Sequence, residues 1–209
     1  MLNVERVPLD AFLPFVMVGA RGVPEALALG YIRQACIDFA TRSGILRRVA
    51  LLDEQRYVRD YPLWPDAEEQ IVRVNEVALN GIRYRGGRDR AGFRSPWFWR
   101  NAGFTIRDGV LLLAVVPQCD RPEAIDVRMC VAPTQRACEV DALLLDDWQQ
   151  AIEDGALARL YQLPGYSFSA PMLATARGRS FDEAIARARI RALKSDTGES
   201  MRAVAPPIV

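Results

Sequence analysis

Apolar residues recur at helical spacing in the segment 24–43, and charged side chains fall elsewhere on the same helical wheel. The apolar face consists of Ala28, Ile32, Ala35 and Phe39. Pro24 suits a first helical turn, and Gly44 suits the left-handed residue that often follows a helix. The pattern therefore predicts a helix over 24–43 that packs through this face.

Two further helices are predicted near the end of the chain, over 142–163 and 170–194. Their apolar faces are formed by Leu144, Trp148, Ile152 and Ala156 in the first, and by Phe181, Ile185, Ala188 and Ala192 in the second. Gly155 lies inside the first helix, where glycine costs about 1 kcal/mol relative to alanine. We therefore expect Gly155 to mark a kink or a close contact between helices.

The central region has short β-branched runs separated by turn signals. Asn80-Gly81 lies between two apolar runs, and this dipeptide favours a β-hairpin because both residues tolerate a positive φ. Arg107-Asp108-Gly109 predicts a second hairpin, and the run 124–132 predicts a further strand that ends at Pro133. We expect about five or six strands, mostly antiparallel.

These elements predict an α+β fold in which a helical bundle carries an inserted antiparallel β domain. The predicted divisions are an N-terminal arm over 1–23, a bundle over 24–48 and 136–195, a β-rich domain over 49–135 and a C-terminal tail over 196–209. The prolines and glycines of the arm indicate an extended segment. The tail is polar and Pro-rich, so we expect it to become ordered only on a partner.

The composition argues against catalysis. The chain has no His, and its four cysteines lack C-x-x-C spacing; they are Cys36, Cys119, Cys130 and Cys138. The usual general base, the commonest metal ligand and every Ser-His or Cys-His pair are therefore missing. The sequence predicts no enzymatic activity, no catalytic residue, no metal and no cofactor. An enzyme with a carboxylate site is the remaining alternative.

The start of the chain and its apolar runs bear on cellular location. An acidic residue occurs early and no basic-then-apolar run follows, so a signal peptide is not expected. The longest apolar run, 110–117, is too short to span a bilayer. We therefore expect a protein that is made in a cytoplasm and has no membrane partner.

The segment 82–107 combines many arginines with aromatic side chains. Its candidate interface residues are Arg88, Arg90, Arg94, Trp97 and Trp99. Arginine can contact phosphates and aromatic rings can stack on bases, which would suit a single-stranded nucleic-acid-binding module. The alternative is a loop that packs on the sheet or on a neighbouring subunit, since arginine and tryptophan are also enriched in interface hot spots.

Two segments carry opposite charge. The last predicted helix is basic and includes Arg187, Arg189, Arg191 and Lys194, whereas the stretch 139–154 is acidic and has no base. One interpretation is that the two faces neutralise each other within one molecule. The other is that the basic face of one copy meets the acidic face of the next in a ring.

The order of these pieces resembles the head-to-tail adaptor, or connector, proteins of tailed bacteriophages, of the tail tubular protein A type. The resemblance covers roughly 23–192. Its most specific part is the run W-x-x-A-I-x-x-G-A-x-x-x-L-x-x-L-P-G over 148–165, followed by a helix that contains F-x-x-A-I-x-x-A.

The resemblance implies a structural virion protein without catalytic residues. About twelve copies would form a ring in the neck of the virion, between the portal protein and the downstream tail or nozzle protein. Genomic DNA would pass through the bore without tight binding, which agrees with the net charge of +1. The protein would be made in the host bacterial cytoplasm.

Two surfaces of such an adaptor are predicted by residue. Helical and C-terminal parts of the family contact the portal, so the candidate portal-docking residues are Arg187, Arg189, Arg191, Lys194, Met201, Val204 and Ile208. The Arg/aromatic residues of 82–107 are the candidate tail-side or inter-subunit surface.

Overall fold

The computed structural model of the protein describes residues 4–86 and 103–197. It contains both helices and mainly antiparallel sheets, which confirms the predicted α+β class. The chain forms two compact units. One comprises the segment that ends at Pro8 together with Leu46–Ala142, and the other comprises Leu9–Ile45 together with the chain from Leu143 onward.

The second of these units is helical. Its elements are a 3₁₀ turn at Leu9–Phe12, α1 at Leu13–Gly19, α2 at Glu25–Ser43, α3 at Leu143–Asp146, α4 at Gln149–Leu160 and α5 at Pro171–Thr197. The predicted helix over 24–43 is confirmed as α2, which ends at Gly44 in the left-handed conformation with a φ of 63°. All four residues of its predicted apolar face are fully buried.

Helix α4 lies in the middle of the helical unit. Eight of its twelve residues are buried, so it has no solvent-exposed stripe. A Cβ added to Gly155 would lie 2.7 Å from the ring of Phe181 on α5. Of the two roles predicted for Gly155, the structure therefore confirms the close helix contact.

The helix predicted over 142–163 is interrupted. The chain leaves the helical conformation at Trp148, whose φ and ψ are −129° and 14°, and this residue precedes α4. The indole packs on Phe39 of α2, with the ring centroids 5.2 Å apart. The spacing of apolar residues continues through the interruption, so this spacing alone does not reveal the break.

The other unit is built on a seven-stranded sheet with the order β2-β8-β4-β5-β6-β7-β3 and a two-stranded sheet of β1 and β9. The strands are β1 at Arg6–Pro8, β2 at Arg47–Glu54, β3 at Asp60–Pro62, β4 at Glu69–Leu79, β5 at Ile82–Gly86, β6 at Gly103–Arg107, β7 at Val110–Leu113, β8 at Arg121–Pro133 and β9 at Glu139–Asp141. All pairs are antiparallel except β5 with β6.

Both predicted hairpins are present. Asn80 and Gly81 connect β4 to β5 with φ values of 51° and 79°, as a type I′ turn requires. Asp108 and Gly109 connect β6 to β7 with φ values of 50° and 77°. The predicted strand at 124–132 forms the middle of β8, which lies between β2 and β4.

The prediction of an extended N-terminal arm is wrong for residues 9–19. These residues form the 3₁₀ turn and α1, and they bury Leu9, Phe12 and Val16. Pro14 lies in the first turn of α1, where the missing N–H costs nothing. The arm thus contributes to the core of the helical unit.

Candidate interaction surfaces

Helix α5 presents the candidate basic surface. Arg187, Arg189 and Lys194 are exposed, and within the described part of the chain they form no ion pair. Arg191 differs, because its guanidinium pairs with Asp147 at 2.7 Å and lies over the ring of Trp148 at 6.0 Å. The four predicted docking residues on this helix are therefore three outward-facing cations and one that is neutralised within the unit.

Apolar side chains are exposed on α5 together with these cations. Met172 and Ile190 are eighteen residues, or five helical turns, apart and so lie along one line of the helix. Met172 is 86% exposed and Ile190 is 47% exposed. Interfaces commonly combine apolar anchors with charged side chains in this way, so this face is suited to a protein partner.

A buried carboxylate on α4 binds the side of α5 that faces the helical unit. Asp154 on α4 accepts hydrogen bonds from Arg177 Nη1 at 2.5 Å and Ser180 Oγ at 2.6 Å. The hydrogen bond to Asp154 raises the pKa of Arg177 above its usual value. Burial raises the pKa of the neighbouring Glu153, although the charge of Arg177 opposes that shift.

Several carboxylates of the acidic stretch therefore form ion pairs within the molecule. Asp154 and Glu153 pair with Arg177, and Asp147 pairs with Arg191. These contacts favour the first interpretation of the opposite charges, in which the two segments neutralise each other. Arg187, Arg189 and Lys194 remain as positive charges that no carboxylate of the described residues neutralises, and an acidic partner could bind them.

Gly155 offers a test of how tightly α4 and α5 are packed. Gly155→Ala improves helix propensity by about 1 kcal/mol. We nevertheless expect a net loss of about 1–3 kcal/mol in the free energy of unfolding, because the new methyl group would overlap the Phe181 ring. Chemical denaturation would measure this loss, and Gly30→Ala on α2 is the control because no atom lies within 4 Å of a Cβ there. A stabilised Gly155→Ala variant would contradict the close contact.

A cleft lies beside the basic surface, between α4 and α5. It is lined by Asp147, Trp148, Gln150, Ala151, Asp154, Ser180, Ala184 and Arg187. The indole Nε1 of Trp148 is buried and has no hydrogen-bond partner among the described residues. A buried N–H without an acceptor costs about 1–3 kcal/mol.

Two aromatic residues of the β unit are also exposed, and the sequence analysis did not single them out. Trp64 is 79% exposed between Pro62 and Pro65, and Tyr57 is 63% exposed. The nearby prolines restrict the backbone, and they are the sequence feature that could have indicated an exposed tryptophan at this position. Exposed tryptophan and tyrosine are common anchors of protein interfaces.

Tyr57 is held in an unfavourable conformation. Its φ of 65° is rare for a bulky residue and costs about 1–2 kcal/mol. The loop compensates because Tyr57 N–H donates to Pro117 O at 2.9 Å and Arg56 N–H donates to Asp120 Oδ1 at 2.7 Å. Strained residues that are fixed in this way are enriched at functional sites.

The Arg/aromatic segment is described only at its ends. Arg88, Arg90, Arg94, Trp97 and Trp99 lie outside the described residues, as do Met201, Val204 and Ile208 of the tail. At the described ends, Arg83 pairs with Glu76 at 2.8 Å and Phe104 is 5% exposed. Phe104 is therefore part of the core of the unit, whereas the Arg83 side chain is 77% exposed despite its ion pair.

The described residues hold no group of three or more potential metal ligands, and burial raises the pKa of the Cys36 thiol. No helix in residues 4–86 and 103–197 is long and apolar enough to cross a membrane.

The chain was compared with known protein families and with curated proteins. No known family model matches the chain, and neither does any curated protein.

Proposed function

We propose that this chain is a structural virion protein, a head-to-tail adaptor of a tailed bacteriophage that joins the portal to the tail. The observation that carries the proposal is the run 148–165, on which the resemblance to this family depends. In this chain the run supplies α4, the helix around which α1, α2 and α5 pack, and it ends in a turn at Gly165 with a φ of 83°. The most family-like part of the sequence is thus also the centre of the helical unit.

The basic face of α5 supports a docking role toward the portal. Arg187, Arg189 and Lys194 are the described members of the predicted docking set that have no intramolecular ion pair. Three like charges on one helix favour an acidic partner and speed its association. Met201, Val204 and Ile208, farther along the chain, would add apolar contacts in the same proposal.

The remaining parts of the proposal concern assembly. About twelve copies would form a ring that the downstream tail or nozzle protein joins, with Arg88, Arg90, Arg94, Trp97 and Trp99 at the tail side or between subunits. The net charge of +1 is compatible with a bore through which DNA passes, because each neutralised phosphate would strengthen binding. The role requires neither catalysis nor a cofactor.

The first experiment measures binding to the portal ring of the same phage. The triple variant Arg187→Glu, Arg189→Glu, Lys194→Glu is expected to bind at least about tenfold more weakly, because attraction to an acidic surface becomes repulsion. The matched control reverses Arg21, Arg73 and Arg121, which are exposed arginines elsewhere in the chain. Native mass spectrometry would count the copies on each portal ring.

Two results would contradict the proposal. One is a wild-type chain that does not bind the portal. The other is a salt-sensitive shift of single-stranded oligonucleotides at physiological ionic strength, which would favour the nucleic-acid-binding module instead. If the control triple variant weakened portal binding as much, the docking surface would not lie on α5.

A further inference from the structure

Strand β2 forms one edge of the seven-stranded sheet. Its only strand neighbour among the described residues is β8. Val49 and Leu51 on this edge are 56% and 53% exposed. Proteins usually protect long edge strands with proline, charged side chains or β-bulges, but the segment from Val49 to Leu52 contains no proline and no charged residue.

The pairing with β8 shows which backbone groups of β2 are unused by the sheet. Leu46 O accepts a hydrogen bond from Val131 N–H at 3.0 Å, and Arg47 lies opposite Cys130 in the register. Hydrogen-bonding positions alternate along an antiparallel strand, so the even-numbered residues face β8. The N–H and C=O groups of Val49 and Leu51 therefore point away from the sheet.

The sequence of this edge is complementary to itself. It begins with Arg47-Arg48 and reaches Asp53 at its other end, with Val49, Ala50 and Leu51 between them. Antiparallel pairing of two copies places basic ends against acidic ends, whereas parallel pairing would place like charges together. A two-fold axis at Ala50 sets Val49 of each copy opposite Leu51 of the other.

We propose that β2 is a self-association surface, through which the β2 edges of two copies pair in antiparallel fashion about Ala50. The outward N–H and C=O groups of Val49 and Leu51 exchange four backbone hydrogen bonds in this register. Arg47 then faces Asp53 of the second copy. The ladder ends near Arg47, whose carbonyl already accepts a hydrogen bond from Arg48 Nη1 at 3.0 Å, and near the register shift after Leu52.

This pairing is a state of free copies and is independent of the adaptor proposal. A cyclic ring of identical head-to-tail contacts contains no two-fold axis of this kind. The contact covers an exposed apolar edge before assembly, and it is small enough to release. Portal binding and β2 pairing are measured separately, so failure of one leaves the other standing.

The test is sedimentation equilibrium of the full chain over a range of concentrations, with far-UV circular dichroism as a folding check. The wild type is expected to show a monomer–dimer equilibrium. Val49→Lys and Leu51→Glu are each expected to raise the dissociation constant at least about tenfold, because each places a charge against an apolar side chain.

The decisive variant carries both changes. In Val49→Lys/Leu51→Glu, each new lysine faces a new glutamate of the second copy, so the dissociation constant is expected to return to within about threefold of the wild type. Ile82→Lys is the control, since this residue is 64% exposed on an interior strand of the same sheet. It should leave the dimer unchanged.

Several results would overturn the inference. They are a wild type that is monomeric at every concentration, an association that the single variants do not weaken, a double variant that is not rescued, and a control that weakens the dimer as much as Leu51→Glu does. Each would show that β2 does not pair with itself in this register.

Discussion

Replacing Glu69 with alanine is expected to lower the free energy of unfolding of the β unit by about 1.5–3 kcal/mol, because it removes the charge-assisted hydrogen bonds of two largely buried arginines. The Glu69 side chain is 7% exposed. Its carboxylate contacts Arg48 Nη2 at 2.6 Å, Arg48 Nε at 3.2 Å and Arg6 Nη2 at 3.3 Å. Chemical denaturation followed by circular dichroism would measure the loss.

The contacts of Glu69 join segments that are distant in the sequence. Arg6 lies on β1 and Arg48 on β2, and Arg48 also pairs with Asp141 on β9 at 2.8 Å. The hydrogen bonds to Glu69 and Asp141 raise the pKa of Arg48 against the opposing effect of burial. The arginine therefore stays charged at every ordinary pH, and removal of Glu69 leaves it with Asp141 as its remaining carboxylate partner.

Two variants control this experiment. Glu69→Gln keeps the shape and one acceptor oxygen, and we expect it to cost less than the alanine variant. Asp182→Ala breaks the pair of Arg42 with Asp182, which is equally short at 2.7 Å but 50% and 60% exposed, so it should cost at most about 1 kcal/mol. Equal losses for Glu69→Ala and Asp182→Ala would refute the importance of burial.

The helix and hairpins that were predicted correctly have sequence signals within a few neighbouring residues. Helix α2 has an uninterrupted apolar period and a glycine at its end, and both hairpins have turn residues that tolerate positive φ. These features depend on a few neighbouring residues, so they can be identified without the rest of the fold. The same is true of Phe181, Ile185 and Ala188, which are buried on α5 as predicted.

The features that were missed depend on tertiary packing. The short helix α1 contains Pro14 and too few residues for a clear period, and the break at Trp148 occurs where its ring packs on Phe39. The edge position of β2 follows from strand order, which local patterns do not specify. The ionic network around Glu69 joins four strands that are far apart in sequence, β1, β2, β4 and β9, and gave no local signal.

Phe39→Ala is expected to lower the free energy of unfolding of the helical unit by about 3–5 kcal/mol. Phe39 is fully buried, and its ring centroid lies 5.2 Å from that of Trp148 and 6.1 Å from that of Phe181. The variant loses the transfer free energy of the ring and leaves a cavity among α2, α4 and α5. It also removes two aromatic contacts that are worth about 0.5–1.5 kcal/mol each.

Two control variants test whether the loss comes from the buried position of the Phe39 ring and not from the removal of any phenylalanine. Phe39→Leu fills much of the same volume and is expected to cost less than half as much as the alanine variant. Phe15→Ala removes an identical ring from α1, where the side chain is 40% exposed, so its effect should also be smaller. Thermal melts of the three variants would rank them, and an unchanged melting temperature for Phe39→Ala would show that α2 does not pack through this face.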